Sequence, residues 1–241
     1  MKIKVDLHTH TMVSHHAFST VTENATAASE NGMEAIAITD HAPGMPDGAH
    51  QWHFDCLELI DRKINGVVVL RGAECSYTNA DGKLDLPEST LKKMEVVIAS
   101  VHTPAFCPET SEEHTKLLLK AMENPYIDIL GHIDRVKCGG DYDLIAKSAK
   151  DYGKLIELNE HSLSYGGAEQ TRKNTYALAE ACMKYGTFVA VNSDSHYCRK
   201  IGNFELQKKL MDEIEFDPEL VVNSSLSKFL DYMKGKKNII I

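Results

Sequence analysis

The sequence of 241 residues predicts an α/β fold built on parallel strands, either a (β/α) barrel or a doubly wound open sheet. Seven short runs rich in β-branched residues recur at intervals of roughly 30 residues, which is the size of a strand, helix, strand unit. The runs are mostly apolar along their whole length, as expected of strands that are buried on both faces. The predicted strands are 3–7, 35–39, 67–73, 96–101, 127–130, 155–158 and 188–192.

Helical patterns lie between these strands and after the last of them. The clearest start is Ser111, a capping residue type followed by Glu112 and Glu113 in the first turn. Residues 77–86, centred on Asp81-Gly82, predict a small hairpin after the third strand. No linker or change of composition divides the chain, so we expect a single domain over residues 1–241. The predicted helices are 22–31, 55–64, 111–124, 143–151, 171–184, 204–214 and 227–234.

The charge balance excludes some classes of partner. The chain has 26 Lys and Arg against 35 Asp and Glu, a net charge of -9, and its basic residues never cluster beyond a pair. An extended nucleic-acid surface is therefore not expected, since such partners are held by basic footprints. No apolar run reaches the roughly 18 residues of a membrane span, and charged residues follow Met1 too closely for a signal peptide. We expect a cytoplasmic protein without a membrane partner.

The six cysteines are scattered and contain no C-x-x-C pair. Several lie in apolar surroundings, such as Cys182 between Ala181 and Met183. This pattern predicts reduced and mostly buried thiols rather than a disulfide framework or a thiolate zinc site.

Histidine is unusually frequent, with 12 residues, and most of these histidines follow predicted strands. The carboxyl ends of parallel strands share one face, where barrel enzymes place their chemistry. Residues at the strand ends should therefore converge, whereas His50 and His114 fall elsewhere and are predicted to be surface residues. The strand-end residues of metal-binding type are His8, His10, Asp40, His41, Glu74, His102, His132, Asn159, His161, Asp194 and His196.

Two short motifs make a metal site the favoured interpretation. His8 and His10 are two apart on a predicted strand, so both imidazoles point the same way and can reach one ion. Asp194-Ser195-His196 repeats this spacing with an oxygen and a nitrogen ligand. Together with the other strand-end residues, these motifs predict a polynuclear site. Mixed nitrogen and oxygen ligands favour zinc, manganese or iron over calcium or magnesium.

Six motifs spread over residues 6–196 carry a resemblance to a known family. They are D-L-H-T-H at 6–10, T-D-H at 39–41, G-A-E at 72–74, S-V-H-T-P at 100–104, G-H at 131–132 and S-D-S-H at 193–196. In this order they resemble the motifs of the PHP family, the polymerase and histidinol phosphatase metalloenzymes. The segments at 16–19, 50–54 and 70–72 are most similar to the short YcdX-type phosphatases of that family.

The resemblance implies a distorted seven-unit (β/α) barrel with three divalent ions at its carboxyl face, zinc ahead of manganese or iron. Alignment through residues 17–19 favours His16 over His15 as a ligand, although the sequence leaves both open. After His132, Ile133-Asp134 replaces the Pro-Gly that YcdX-type chains often carry. The implied ligands are His8, His10, Glu74 and Asp194 for the first ion, Glu74, His102 and His132 for the second, and His16, His41 and His196 for the third.

The resemblance also implies a chemistry, the hydrolysis of small phosphomonoesters by a hydroxide that bridges two ions. Coordination lowers the pKa of water towards neutrality, so no nucleophilic side chain is required. Glu74 and Asp194 would act through the metal ions. Asp40 would orient an imidazole or help to protonate the leaving group, unless it only accepts hydrogen bonds from nearby backbone amides. The candidates for further substrate contacts are Arg71, His53, His161 and Arg199.

Three alternatives stand beside this hypothesis: a phosphatase specific for histidinol phosphate, an amidohydrolase-like hydrolase, and a noncatalytic metal-binding PHP domain. The binuclear amidohydrolases commonly need a carboxylated lysine at the end of the fourth strand, and residues 98–102 contain none. A full set of nine ligand positions argues against a noncatalytic domain. The sequence leaves the physiological substrate and the oligomeric state open.

Overall fold

Parallel strands form a nearly closed barrel in the computed structural model, which describes residues 1–164 and 169–241. The strands are β1 (Val5–Thr9), β2 (Ala35–Ile38), β3 (Lys63–Ile64), β4 (Val67–Ser76), β5 (Val96–Ser100), β6 (Ile129–Gly131), β7 (Leu155–Asn159) and β8 (Val189–Asn192). Their order is β1-β2-β4-β5-β6-β7-β8 with parallel neighbours, and β3 pairs antiparallel with β4. Within the described residues, this strand order confirms the seven predicted strands. It also shows that the fold is the barrel and not the open sheet.

The seam between β1 and β8 is closed mainly by side chains instead of a regular ladder. The Asn223 amide donates to the carbonyl oxygens of Val5 (2.8 Å) and Val191 (2.7 Å). The Leu7 amide donates to Asn192 Oδ1 at 3.1 Å. These asparagines supply the hydrogen bonds that a regular β1–β8 ladder would otherwise make, so the barrel is distorted at this point.

Helices cover the outside of the barrel. The segment predicted to begin at Ser111 is capped one residue earlier, by Thr110, whose hydroxyl accepts from the Glu113 amide while the Glu113 carboxylate accepts from the Thr110 amide. This reciprocal pair is a capping box. The helices are α1 (Val21–Glu30), α2 (Gln51–Asp55), α3 (Glu88–Leu91), α4 (Ser111–Met122), α5 (Tyr142–Asp151), α6 (Glu160–Ser164), α7 (Glu169–Tyr185), α8 (Glu205–Glu213) and α9 (Leu226–Met233).

The predicted helix 55–64 is wrong. This segment contains the end of α2, one turn of 3-10 helix at Leu57–Leu59 and strand β3. Asn65 (φ 51°) and Gly66 (φ 83°) form the tight connection between β3 and β4. An Asn-Gly pair is the strongest short-range hairpin signal because both residues tolerate positive φ. The sequence at 65–66 is therefore typical of the hairpin that the structure shows. The hairpin predicted at 77–86 is confirmed by the antiparallel bridge between Tyr77 and Leu84.

Two apolar clusters build the core within the described part of the chain. The larger lies between the strands and the helices, and the smaller fills the inside of the barrel with residues such as Leu7, Leu70 and Ile98. Phe229 and Met233 of α9 belong to the inner cluster and cover its base. The inside of the barrel at the carboxyl ends of the strands is left to polar side chains. None of the described helices is long and apolar enough to cross a membrane.

Candidate metal centre

A bulge in β1 directs two histidines into the barrel. Asp6 is paired with Ile36 and Thr9 with Ile38, so β1 contains one more residue than β2 over this stretch. The extra residue changes the phase of the strand. Leu7 packs in the inner apolar cluster, and the next residue, His8, still faces the interior. His10, two residues further on, joins it there, and both imidazoles are fully buried.

Four donor atoms form a compact group at this point. His8 Nε2 lies 3.1 Å from His10 Nε2 and 3.4 Å from both Glu74 Oε2 and Asp194 Oδ1. His10 Nε2 lies 3.5 Å from Glu74 Oε2 and 3.2 Å from Asp194 Oδ1. A tetrahedral ion with ligands at about 2.0–2.1 Å would separate its donor atoms by about 3.3 Å. The distances from both imidazoles to each other and to the two carboxylates therefore match those between ligands to one divalent ion.

The two oxygens of Glu74 face different imidazoles. Oε2 faces the group just described and lies 2.8 Å from His41 Nδ1. Oε1 lies 2.8 Å from His132 Nε2 and 3.2 Å from His102 Nε2, and it accepts a hydrogen bond from the Ser100 hydroxyl at 2.7 Å. A carboxylate held in this way is arranged to bridge two ions.

A third group of imidazoles lies beside the first. The ring centroid of His196 lies 4.2 Å from that of His10 and 4.4 Å from that of His16. The ring centroids of His16 and His41 are 5.2 Å apart. Donor atoms of His10, His41 and His196 all lie within 4.8 Å of one another. His16 lines the cavity above this group and His15 does not.

Hydrogen bonds fix the orientation of several of these rings. Glu157 Oε1 lies 2.7 Å from His8 Nδ1, Ser76 Oγ lies 2.9 Å from His102 Nδ1, and Asp47 contacts His16 Nδ1. Such contacts to the far nitrogen hold a metal-binding histidine in the tautomer that presents its free lone pair. Sequence reasoning missed Glu157, although a carboxylate inside an apolar strand is a signal that could have found it.

Two imidazoles and one carboxylate of the cluster have the protonation states that suit a bound cation. Burial lowers the pKa of His10 to about 3 and that of His196 to about 4, so both imidazoles are neutral. Burial acts to raise the pKa of Glu74, but the imidazoles of His102 and His8 hold it well below its usual range. Neutral imidazole and ionised carboxylate are the forms that bind metal ions.

Two of the predicted ligands have unusual backbone geometry. His132 has φ 27° and Asp194 has φ 52°, both in the left-handed region that residues other than glycine seldom adopt. Strain of this kind costs roughly 1–3 kcal/mol per residue and concentrates at functional sites. The fold thus holds two side chains of this cluster in place at some expense to its stability.

A cavity of about 520 Å³ opens over the cluster and is lined in part by His161 and Arg135. Arg135 Nη1 lies 3.2 Å from Asp194 Oδ2, and the side chain is 40% exposed. Sequence reasoning missed this cation because it lies in a turn after β6.

The structure does not bring Arg71 or Arg199 to the cavity lining. Arg71 Nη2 lies 3.5 Å from the Glu58 carbonyl oxygen, and Arg199 is exposed.

Asp40 is buried behind the cluster and does not line the cavity. Its carboxylate accepts from the Thr11 amide (2.7 Å), the Thr11 hydroxyl (2.8 Å) and the Ser14 hydroxyl (2.8 Å). His53 Nε2 lies 3.2 Å from its Oδ2. Burial acts to raise the pKa of Asp40, but the hydrogen bonds from His53 and Thr11 bring it below its ordinary value. Asp40 therefore braces the loop after β1.

Two sequence-based expectations about residues outside the cluster are wrong. His114 is buried rather than exposed, because its ring packs inside and its Nδ1 lies 2.6 Å from the Gly139 carbonyl oxygen. His50 is exposed as predicted, and its ring accepts from the Trp52 amide. The six cysteines are all free, as expected, but only Cys75 and Cys182 are buried.

Comparison with known proteins gives consistent matches. The model of the PHP domain matches residues 6–163. A probable phosphatase of Clostridium acetobutylicum is 42% identical over 236 residues, covering 98% of this chain and 96% of its own length. A probable phosphatase of Thermoanaerobacter pseudethanolicus is 40% identical over 243 residues, covering 100% of this chain and 98% of its own length.

Two solved structures resemble this fold. A histidinol phosphate phosphatase of Lactococcus lactis, complexed with Zn, L-histidinol and phosphate, gives a TM-score of 0.61 at 17% identity and covers 89% of this chain and 94% of its own. A putative histidinol phosphatase of Listeria monocytogenes gives 0.64 at 16% identity, covering 85% of this chain and 99% of its own. At such identities the likeness concerns the fold alone.

Proposed function

This chain belongs to the PHP domain family, and from that premise we propose that it is a metal-dependent phosphatase acting on small phosphomonoesters. One observation carries the proposal: the Nε2 atoms of His8 and His10 lie 3.1 Å from each other and 3.2–3.5 Å from carboxylate oxygens of Glu74 and Asp194, distances expected between ligands to one ion. The proposal is supported by relatives named as probable phosphatases, which match this chain over nearly their whole length. We take residues 1–241 as one catalytic domain.

The proposed centre binds three divalent ions. A donor set rich in imidazole, with two carboxylates, favours zinc, with manganese or iron as further candidates. The lactococcal structural neighbour was solved with Zn, which agrees with this choice. The proposed ligands are His8, His10, Glu74 and Asp194 for the first ion, Glu74, His102 and His132 for the second, and His16, His41 and His196 for the third.

Divalent ions held there would lower the pKa of coordinated water and neutralise phosphoryl oxygens. The protein contributes position and charge. Glu74 and Asp194 fix the site from opposite sides of the barrel. The guanidinium of Arg135 makes one hydrogen bond among the described residues, to Asp194, so most of its five N–H donors remain to face the cavity. We propose that Arg135 binds a phosphoryl oxygen of the substrate and replaces Arg71 and Arg199 as the candidate cation.

The residues around the proposed centre are of two kinds, those that line the cavity and those that hold the ligand loops from behind. His161 lines the cavity, with Nδ1 3.2 Å from the Asp194 carbonyl oxygen, and is the candidate for a contact to the leaving group. His53 and Asp40 lie behind the cluster, where we assign them to support the loop that carries His10 rather than to protonate the leaving group. The cavity volume of about 520 Å³ suits a small substrate.

Turnover of an aryl phosphate tests this proposal. We expect the purified protein loaded with Zn²⁺ or Mn²⁺ to hydrolyse p-nitrophenyl phosphate, and to lose activity in a chelator and regain it when the metal is restored. Glu74→Gln, which keeps the size of the side chain but removes the bridging charge, should lose activity together with bound metal. Metal binding without turnover of any phosphate ester would favour a noncatalytic PHP domain. Full activity in chelator would overturn the proposal.

A further inference from the structure

Two cysteines outside the metal centre converge on one backbone oxygen. Cys107 Sγ lies 3.6 Å from the carbonyl oxygen of Pro108, and Cys138 Sγ lies 3.9 Å from the same atom. The two residues come from different loops, one after β5 and the other after β6. The two thiols thus share one small region of the surface, although they are far apart in sequence.

The pair differs from the other cysteines in its surroundings. Cys107 is exposed and Cys138 is half-buried, whereas Cys75 and Cys182 are buried. Burial raises the pKa of the Cys138 thiol, and the sulfur of Cys107 adds to this rise, as two thiols in electrostatic contact would. An exposed thiol next to a second thiol has the arrangement of an attacking and a resolving cysteine.

We propose that Cys107 and Cys138 are a modification site, at which the two residues form a reversible disulfide with each other. The oxidant is a low-molecular-weight disulfide such as oxidised glutathione. The Cys107 thiolate attacks one sulfur of the oxidant and releases one glutathione thiolate. The Cys138 thiolate then attacks the Cys107 sulfur of the mixed disulfide and releases the second. Two protein thiols are oxidised, one disulfide oxidant is reduced to two thiols, and the two protons pass to these or to solvent.

The loop that carries Cys138 is firmly anchored. The buried Asn174 amide donates to the carbonyl oxygens of Asp134 (3.0 Å) and Val136 (3.4 Å), and the Gly139 amide donates to Val136 at 2.9 Å. A disulfide needs the two sulfurs at about 2.05 Å, so at least one loop has to move. The movement should fall mainly on the loop of Cys107.

That second loop is tied to a candidate metal ligand. The amides of Ala105 and Phe106 donate to the carbonyl oxygen of His102 at 2.9 and 3.0 Å. Displacement of Cys107 is therefore passed on to His102, whose Nε2 faces Glu74. Oxidation should therefore weaken the binding of the ion held by His102 and His132. This consequence rests on the proposed function, whereas formation of the disulfide does not depend on it.

Mass spectrometry of the whole protein tests the disulfide without reference to activity. After incubation with oxidised glutathione, we expect the intact mass to fall by two hydrogens and a digest to contain a peptide pair linked through Cys107 and Cys138. Cys107→Ser should abolish the link, and Cys56→Ser, which removes an exposed cysteine elsewhere, should leave it intact. Separate glutathione adducts without the link, or no reaction, would overturn the proposal.

Metal retention tests the consequence. Protein loaded with Zn²⁺ and then oxidised should release one ion to a competing chelator about 10-fold more readily than reduced protein, the scale seen when contacts behind a ligand are disturbed. Dithiothreitol should reverse the change, and Cys107→Ser should not respond to oxidation. Cross-linked protein that retains its metal like the reduced form would overturn the coupling to His102. Failure of aryl phosphate turnover alone would affect only the proposed function.

Discussion

The Glu157 carboxylate lies 2.7 Å from Nδ1 of His8, and both side chains are fully buried. Burial acts to raise the pKa of Glu157, but His8 brings it below its ordinary value, so the ionised carboxylate accepts a hydrogen bond from Nδ1–H of His8. Nε2 of His8 is the nitrogen directed at His10, Glu74 and Asp194, and it would release its proton on binding an ion there. Glu157 lies on β7 and His8 on β1, so the barrel itself sets this contact.

Glu157→Gln should weaken metal binding about 10–100-fold while the protein stays folded, because the amide nitrogen replaces one of two oxygens that both accept hydrogen bonds, from His8 Nδ1 and from the His132 amide. The measurement is competition with a chromogenic chelator, accompanied by a thermal unfolding curve. Asp128→Asn is the matched control, since Asp128 is a buried carboxylate at the amino end of β6, away from the cluster. Equal metal loss in both variants would contradict a specific role for Glu157.

The doublet His15-His16 gives a second prediction. His16 faces the rings of His41 and His196, and His15 is exposed and absent from the cavity lining. His16→Ala should therefore lose one bound ion and His15→Ala should keep the full number, as measured by elemental analysis after dialysis. The reverse pattern, or full metal content in both variants, would remove His16 from the ligand set.

Arg135→Gln should raise KM for a phosphomonoester, and the inhibition constant of inorganic phosphate, about 10–100-fold. This range corresponds to the roughly 1.5–3 kcal/mol of a hydrogen bond to a charged group. Metal content must be measured on the same sample, since Arg135 also contacts Asp194. Lys137→Gln removes an exposed charge close by and serves as control. Unchanged KM and phosphate inhibition would exclude Arg135 as a phosphate contact.

Asp128 predicts a pH dependence of stability. Burial raises the pKa of Asp128 to about 6, above the value of about 3.9 of an unfolded chain. The folded protein therefore holds a proton that the unfolded chain releases, and the stability this gives is complete below about pH 4 and lost as the pH rises through about 6. The asparagine of an Asp128→Asn variant is neutral at every pH, and its oxygen can still accept from the Val97 amide that Asp128 binds at 2.9 Å.

The comparison of Asp128→Asn with the parent checks this. Between pH 4 and pH 7 the free energy of unfolding of the variant, measured in urea and taken relative to that of the parent, should increase by about 2 kcal/mol. A difference between the two proteins that is the same at both pH values would show that folding leaves the pKa of Asp128 unchanged and would contradict the prediction.

The sequence could place most of the cluster because one rule governs parallel barrels, that the carboxyl ends of the strands meet on one face. Glu74 lies near the carboxyl end of β4, His102 and His132 follow their strands, and the structure brings the three together. Spacing alone could not give the bulge in β1, which decides that His8 shares the interior with Leu7. Nor could it assign Oε1 and Oε2 of Glu74 to different imidazoles, since this depends on how strands of different length are packed.

The supporting residues were harder to predict. Glu157 acts across the barrel, from β7 to β1, and Arg135 lies in a turn with no periodic pattern. His114 lies on the inward face of α4, where it bonds a loop carbonyl oxygen, and a lone histidine in a helix gives no sign of that partner. Such contacts depend on the tertiary structure and not on any local signal.

We propose that one cluster of side chains binds three divalent ions. Anomalous diffraction at the zinc absorption edge, from crystals of the protein grown with Zn²⁺, tests it directly. We expect three peaks, one among His8, His10, Glu74 and Asp194, one among Glu74, His102 and His132, and one among His16, His41 and His196. The absence of anomalous density from this cluster at full zinc loading would contradict the account.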